Sequence, residues 1–169
     1  MGGFTCATCG KFHDELPLSF GPRAPDAWGG VPEHERSKRT ELSSDQCVID
    51  RKHFFVLGRI VIPITDHPDP FVWLAWVSLS EGCFIRTQEL WGTEGREKEQ
   101  PYFGWLSNSL PYEPSTLHLK TLVHTQPVGQ RPLIELEPTD HPLALEQRHG
   151  ITLHRAQQIA EQLLHENAP

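Results

Sequence analysis

Two runs of sequence decide the fold: HFFVLGRIVIPI at 53–64 and FVWLAWVSLS at 71–80. Both are rich in β-branched and aromatic residues, and the DHPDP cluster at 66–70 between them is made of turn formers. The second run is apolar on both alternating faces, which predicts a central strand covered on both sides. Gly58 interrupts the first run, where a bulge or a close backbone approach is expected. Upstream, CVID (47–50) is a further strand, set off by the turn-like Asp50-Arg51-Lys52. EHERSKRTEL (33–42) follows Pro32 as a polar surface helix, and the Pro- and Gly-rich segment 16–32 reads as an irregular connector laid over the body.

Downstream, Ser80 is a suitable N-cap for a helix EGCFIRTQELW (81–91), with Phe84, Ile85, Gln88 and Trp91 at helical spacing. After a charged loop come three more strands, YFGWLSNSL (102–110), LHLKTLVHT (117–125) and PLIELEP (132–138). Two helices follow. Thr139 or Asp140 caps HPLALEQRH (141–149), which Gly150 ends, and Thr152 caps LHRAQQIAEQLL (153–164) with Ile159, Ala160, Leu163 and Leu164 as its apolar stripe. This pattern predicts one α+β domain over 1–169, with a largely antiparallel sheet and flanking helices. Its parts are a Cys/His knuckle segment (1–15), a β-sheet core (47–138) and C-terminal helices (139–165). Phe54, Val56, Val72, Leu74, Trp76 and Ile134 are expected to be buried on that sheet, with the 152–165 helix on one face.

A chain of 169 residues with 37% hydrophobic and 22% charged residues suits one globular domain. A mean hydropathy of −0.43 excludes a membrane protein. Fifteen Lys and Arg against twenty-two Asp and Glu leave a net charge of −7. Such a surface argues against nucleic-acid binding, which needs a basic face, and is compatible with a basic protein partner. No signal peptide and no apolar run of membrane-spanning length is visible, so a cytoplasmic location is expected.

The strongest chemical signal is Cys6-Ala-Thr-Cys9-Gly10 followed by His13. A Cys-x2-Cys turn ending in Gly lets backbone amides point at two thiolates, the arrangement of a zinc knuckle. Structural zinc takes four Cys or His ligands, and His13 can supply the third. For the fourth, Cys47, Cys83 and His53 are available. Cys47 is preferred, because a strand beside the knuckle can reach the metal without bending a helix. The competing readings are a redox pair or reduced cysteines in a packed turn.

Two acid–histidine constellations could serve a hydrolase: Asp140 with His141, near Glu135 and Glu137, and Asp45, Asp50 and His53 around the CVID strand. Helix and turn capping explains the same residues. Trp73, Trp76, Trp91 and Trp105 with their Phe and Tyr neighbours read as core before they read as a ligand platform. His34, His149, His154 and His165 fall on predicted helix exteriors and read as solvated. G-x-G-x-x-G, G-x4-G-K-S/T, H-E-x-x-H and G-x-S-x-G motifs do not occur.

CATCGKFHDELPLSF (6–20), SSDQCVID (43–50), HFFVLGRIVIPI (53–64), FVWLAWVSLSE (71–81), PYFGWL (101–106), LKTLVHT (119–125) and RPLIELEPTDHPLALEQRHGI (131–151) together resemble the bacterial family called domain of unknown function 2199. The resemblance implies a bacterial single-domain protein and transfers no activity or catalytic residue. The preferred reading is a soluble zinc-stabilised binding or interaction module, not an enzyme. The alternatives are a hydrolase built on either constellation, or a toxin-neutralising immunity protein.

Overall fold

The computed structural model describes residues 2–166. A small hairpin pairs β1 (Phe4–Thr5) with β2 (Phe12–His13). Then follow β3 (Ser19–Phe20), α1 (Asp26–Gly29), α2 (Glu33–Arg39), β4 (Thr40–Leu42) and β5 (Gln46–Ile49). The two deciding runs become β6 (His53–Ile62) and β7 (Phe71–Leu79), followed by α3 (Glu81–Glu89), β8 (Tyr102–Leu106), β9 (Lys120–His124) and β10 (Leu133–Leu136). The helices α4 (Pro142–His149) and α5 (Leu153–Glu166) come last.

The class is α+β, but the sheet is not a plain antiparallel one. Strands β6 to β10 close into a five-strand barrel, because β10 returns to pair with β6 in parallel through Leu133 and Arg59. The short β3 also runs parallel to β7. Among the described residues the other strand pairings are antiparallel, and Ile64 and Ile151 form an isolated parallel bridge. The β6–β7 register runs unbroken from Phe54↔Leu79 to Ile62↔Phe71, so Gly58 carries no bulge. The close approach is what it provides: a Cβ there would meet Ile134 Cδ1 at 2.8 Å.

Closure gives the strands an inner and an outer face; burial alternates along β8, β9 and β10, while β6 and β7 carry consecutive buried residues because both their faces are covered. Ile60, Ile62, Phe71, Trp73, Val77, Leu106, Val123 and Ile134 form one apolar cluster, which α4 and α5 join through Leu143, Ala156 and Ile159. The opposite face of β6 and β7 forms a second cluster of Cys47, Ile49, Phe55, Leu57 and Trp76, covered by Val31 and Trp28. The six residues expected on one sheet face are therefore divided. Val56 and Ile134 lie in the first cluster and Trp76 in the second, while Phe54, Val72 and Leu74 are half-buried.

The Pro- and Gly-rich connector does lie over the body. Trp76 Nε1 donates to Pro22 O (3.2 Å), and buried Asn108 donates through Nδ2 to Ala24 O (3.0 Å) and Asp26 Oδ1 (3.1 Å). α3 is capped by Ser80 as expected, Cys83 N donating to its Oγ, but it ends at Glu89 and leaves Trp91 beyond the helix and 55% exposed. The helix pair is fixed by a relay in which Trp73 Nε1 donates to Tyr112 Oη, Tyr112 donates to Glu146, and Arg155 Nε donates to the same carboxylate. Among the described residues, no helix is long and apolar enough to cross a membrane.

Trp76 is fully buried under the connector although it points away from the barrel interior. Trp76→Ala is expected to cost about 3–5 kcal/mol of unfolding free energy, a large-to-small core change, measured by urea titration.

Candidate metal centre

The knuckle is built by local backbone chemistry. Cys6 N donates to Lys11 O and Gly10 N donates to Cys6 O, both at 2.9 Å, which folds residues 6–11 into a closed turn between β1 and β2. Gly10 sits at φ +69, in the left-handed region that glycine enters without steric cost. The hairpin register sets His13 opposite Phe4, their rings stacked at 5.1 Å. Cys6 Sγ, Cys9 Sγ and a ring nitrogen of His13 consequently lie within 4.8 Å of one another, and this group could hold a metal ion. Cys9 Sγ to His13 Nε2 is 3.8 Å.

Outside this group, a histidine of α5 touches one of the two sulfurs. His165 Nε2 lies 3.0 Å from Cys6 Sγ. One turn earlier on α5, Glu161 accepts from Ala7 N (3.0 Å), and Gln157 donates to Glu161 (2.8 Å) and to Thr5 O (3.5 Å). Positions 157, 161 and 165 are spaced by four, so they share one helix face. That face grips the knuckle while the apolar stripe of α5 packs on the barrel.

Electrostatics favour a thiolate at Cys6. Burial raises its pKa, but the Cys9 amide, the His165 ring, the Thr8 amide and the Cys9 side chain together outweigh burial and bring it down to about 6. Hydrogen bonds from Gln157 and from the Ala7 amide hold the Glu161 carboxyl below the usual range. An anionic sulfur beside two imidazoles and a second thiol is a donor set suited to zinc.

Cys47 does not join this group. It faces the outer apolar cluster from β5, paired in register with Phe55, and burial pushes its thiol up to about 11. The strand that was to carry it to the knuckle instead carries it beneath the 22–31 connector. Cys83 packs against the barrel core from α3, and His53 is exposed at the start of β6.

The acid–histidine constellations dissolve in the same way. His141, not Thr139 or Asp140, is the N-cap of α4: its Nδ1 accepts from Leu143 N (3.1 Å) and its Nε2–H donates to Pro114 O (2.8 Å). Both ring nitrogens are committed to backbone, while Asp140, Glu135 and Glu137 are exposed. Asp45 and Asp50 stand at opposite ends of β5, about 16 Å apart along an extended strand. Asp45 pairs with Arg131 (2.7 Å), and Asp50 takes both ends of the Arg39 guanidinium (2.7 and 2.8 Å).

His165 escaped sequence reading because a histidine late in an amphipathic helix looks solvated. The available signal was the Gln157-Glu161-His165 spacing, a polar line of uniform period beside the apolar stripe.

A family model described as "Uncharacterized protein conserved in bacteria (DUF2199)" matches residues 5–151. The match takes in Cys6, Cys9 and His13 and stops before α5. No curated protein and no solved structure matches the chain.

Two measurements check these placements. At pH 8, a thiol with a pKa near 11 is ionised to about one part in a thousand. Iodoacetamide should therefore label exposed Cys9 in chelator-treated protein and spare Cys47 until denaturant is added, as read by peptide mass. His141→Ala should lower stability by about 1–3 kcal/mol, the cost of stranding the Leu143 amide and the Pro114 carbonyl, measured by chemical denaturation.

Proposed function

The chain belongs to the DUF2199 family of bacterial proteins, a membership that lends it no activity, and we propose that it is a zinc-stabilised binding module whose metal fastens the N-terminal knuckle to α5. The proposed ligands are Cys6, Cys9, His13 and His165. The observation that supports this reading is the Cys6, Cys9 and His13 group, whose donor atoms lie within 4.8 Å of one another; His165, which touches Cys6 alone at 3.0 Å, is proposed as a fourth ligand that closes on the metal when it binds.

Tetrahedral zinc with ordinary bond lengths sets sulfur and nitrogen about 3.6 Å apart. The two sulfur–nitrogen distances, 3.0 and 3.8 Å, fall on either side of that value. Four protein ligands leave no open position for a substrate, which favours a structural over a catalytic metal. The net charge of −7 supports a basic protein partner. Phe103, Trp105 and Leu122, exposed together on the outer face of β8 and β9 between Lys120 and Glu135, form an apolar surface open to a protein partner.

Protein purified without a histidine tag is expected to carry one zinc per chain by elemental analysis, and cobalt in its place should give the visible bands of a tetrahedral site. Cys9→Ser and His13→Ala should lose the metal, His165→Ala should weaken its retention against a chelator by tenfold or more, and Cys47→Ala should keep it. Chelation should lower the thermal midpoint without unfolding the barrel, which has its own core. Protein lacking zinc, and unable to take up cobalt, would overturn the reading.

A further inference from the structure

The edge of β6 that does not pair with β7 is shared by two strands. β5 occupies it at residues 53–56, and β10 meets it at Arg59, so the two part company around Leu57 and Gly58. Three contacts frame the fork. Leu57 N donates to Asp45 O (2.9 Å), Arg59 N donates to Pro132 O (2.9 Å), and Arg131 Nε reaches across to Asp45 Oδ1 (2.7 Å). The result is a cleft of about 650 Å³, walled by Val56 and Val123 and bordered by the loops that carry Trp91 and Val128. Small-molecule sites commonly measure about 300–1,000 Å³.

The charge inside this cleft opposes that of the whole protein. Arg59, Arg96 and Arg131 line it against one carboxylate, Asp45, which Arg131 already engages. Arg96 spends its N–H groups on neutral acceptors, the carbonyls of Trp91 (2.7 Å), Gln126 (2.8 Å), Gln130 (3.0 Å) and Pro127 (3.2 Å). These bonds shape the two loops and leave the charge uncompensated. Arg59 donates from Nη2 to Arg131 O at 3.4 Å, and its Nε is the one buried side-chain nitrogen or oxygen among the described residues without a hydrogen-bond partner. A buried N–H of a guanidinium left unpaired is costly, and the cost is relieved by an acceptor, best of all an anionic one.

We infer that this cleft binds a small organic anion with an apolar body. The carboxylate or phosphate monoester head pairs with Arg59, and the body lies against Val56, Val123 and the Trp91 ring. The site shares no residue with the metal centre. Its specificity comes from two features acting together: apolar area for the body, and a guanidinium whose hydrogen bonding is incomplete without the head group.

The probe is 8-anilinonaphthalene-1-sulfonate, an aromatic anion whose fluorescence rises in apolar surroundings, titrated into the folded full chain. Octanoate and octyl phosphate are expected to displace it, the stronger competitor identifying the head group, whereas octanol and octylammonium should be at least tenfold weaker. Arg59→Gln should weaken probe binding about tenfold and Trp91→Ala several-fold, while Ile85→Ser, exposed on α3 away from the cleft lining, should leave it unchanged. Should Arg59→Gln not fold, the wild-type protein still decides the matter. Its Arg59 side-chain Nε–H and Trp91 indole resonances should move on addition of octanoate. Probe binding indifferent to both cleft substitutions, displacement by octanol as effective as by the anions, or shifts gathered instead on Phe103 and Trp105 would overturn the inference.

Discussion

β6 has two hydrogen-bonding edges and three strands to serve, and the architecture follows from how it divides them. One edge goes wholly to β7, through nine consecutive register pairs. The other is split between β5 and β10, and the barrel is closed by the second of these alone. Glycine at position 58 lets β10 sit this close. A Cβ there would stand 2.8 Å from two Ile134 side-chain carbons and 3.1 Å from Pro132 O, so the Ile134 side chain and the adjoining β10 backbone would have to shift. With β10 seated, Ile134 fills the interior beside Ile60 and Val123, and α5 has a packed surface on which to lay its apolar stripe.

α5 then works on two faces with different chemistry. Ala156 and Ile159 join the barrel core, so the helix is held by burial of apolar area whether or not anything occupies the knuckle. Gln157, Glu161 and His165 reach the hairpin of β1 and β2, whose two-residue strands could not hold a turn in place unaided. The thiols are thus oriented by a helix whose own position is secured elsewhere, which is how a donor group is kept in place before any ligand arrives.

Legibility in the sequence tracked the range of the interactions. The strands and helices were readable because alternation and capping are local: Ser80 caps α3 and Gly150 follows α4 as their residue types imply. Barrel closure was not readable. It depends on one bridge between Arg59 and Leu133, residues whose local pattern says nothing of parallel pairing. The knuckle was legible in Cys6, Cys9 and His13 for the same local reason. The error at Cys47 arose from assuming that a strand cysteine near a motif faces it; the connector pinned by Trp76 and Asn108 makes that face an apolar interior instead. Helical spacing puts Trp91 in the stripe of α3, but the helix stops two residues short, at Glu89, and the ring lines the cleft.

The contacts between the knuckle and α5 join residues 159, 154 and 152 positions apart in the chain. On a ribosome adding about 5–20 residues per second, the Cys-x2-Cys segment leaves the exit tunnel about 8–30 seconds ahead of its docking partners. During that interval the hairpin lacks the helix face it docks on in the finished fold. The helix that packs on the finished barrel is also the one that contacts the knuckle. Docking of this hairpin therefore waits for the synthesis of α5, and a chain that stops short of α5 leaves the Cys6 thiol without the helix face that touches it.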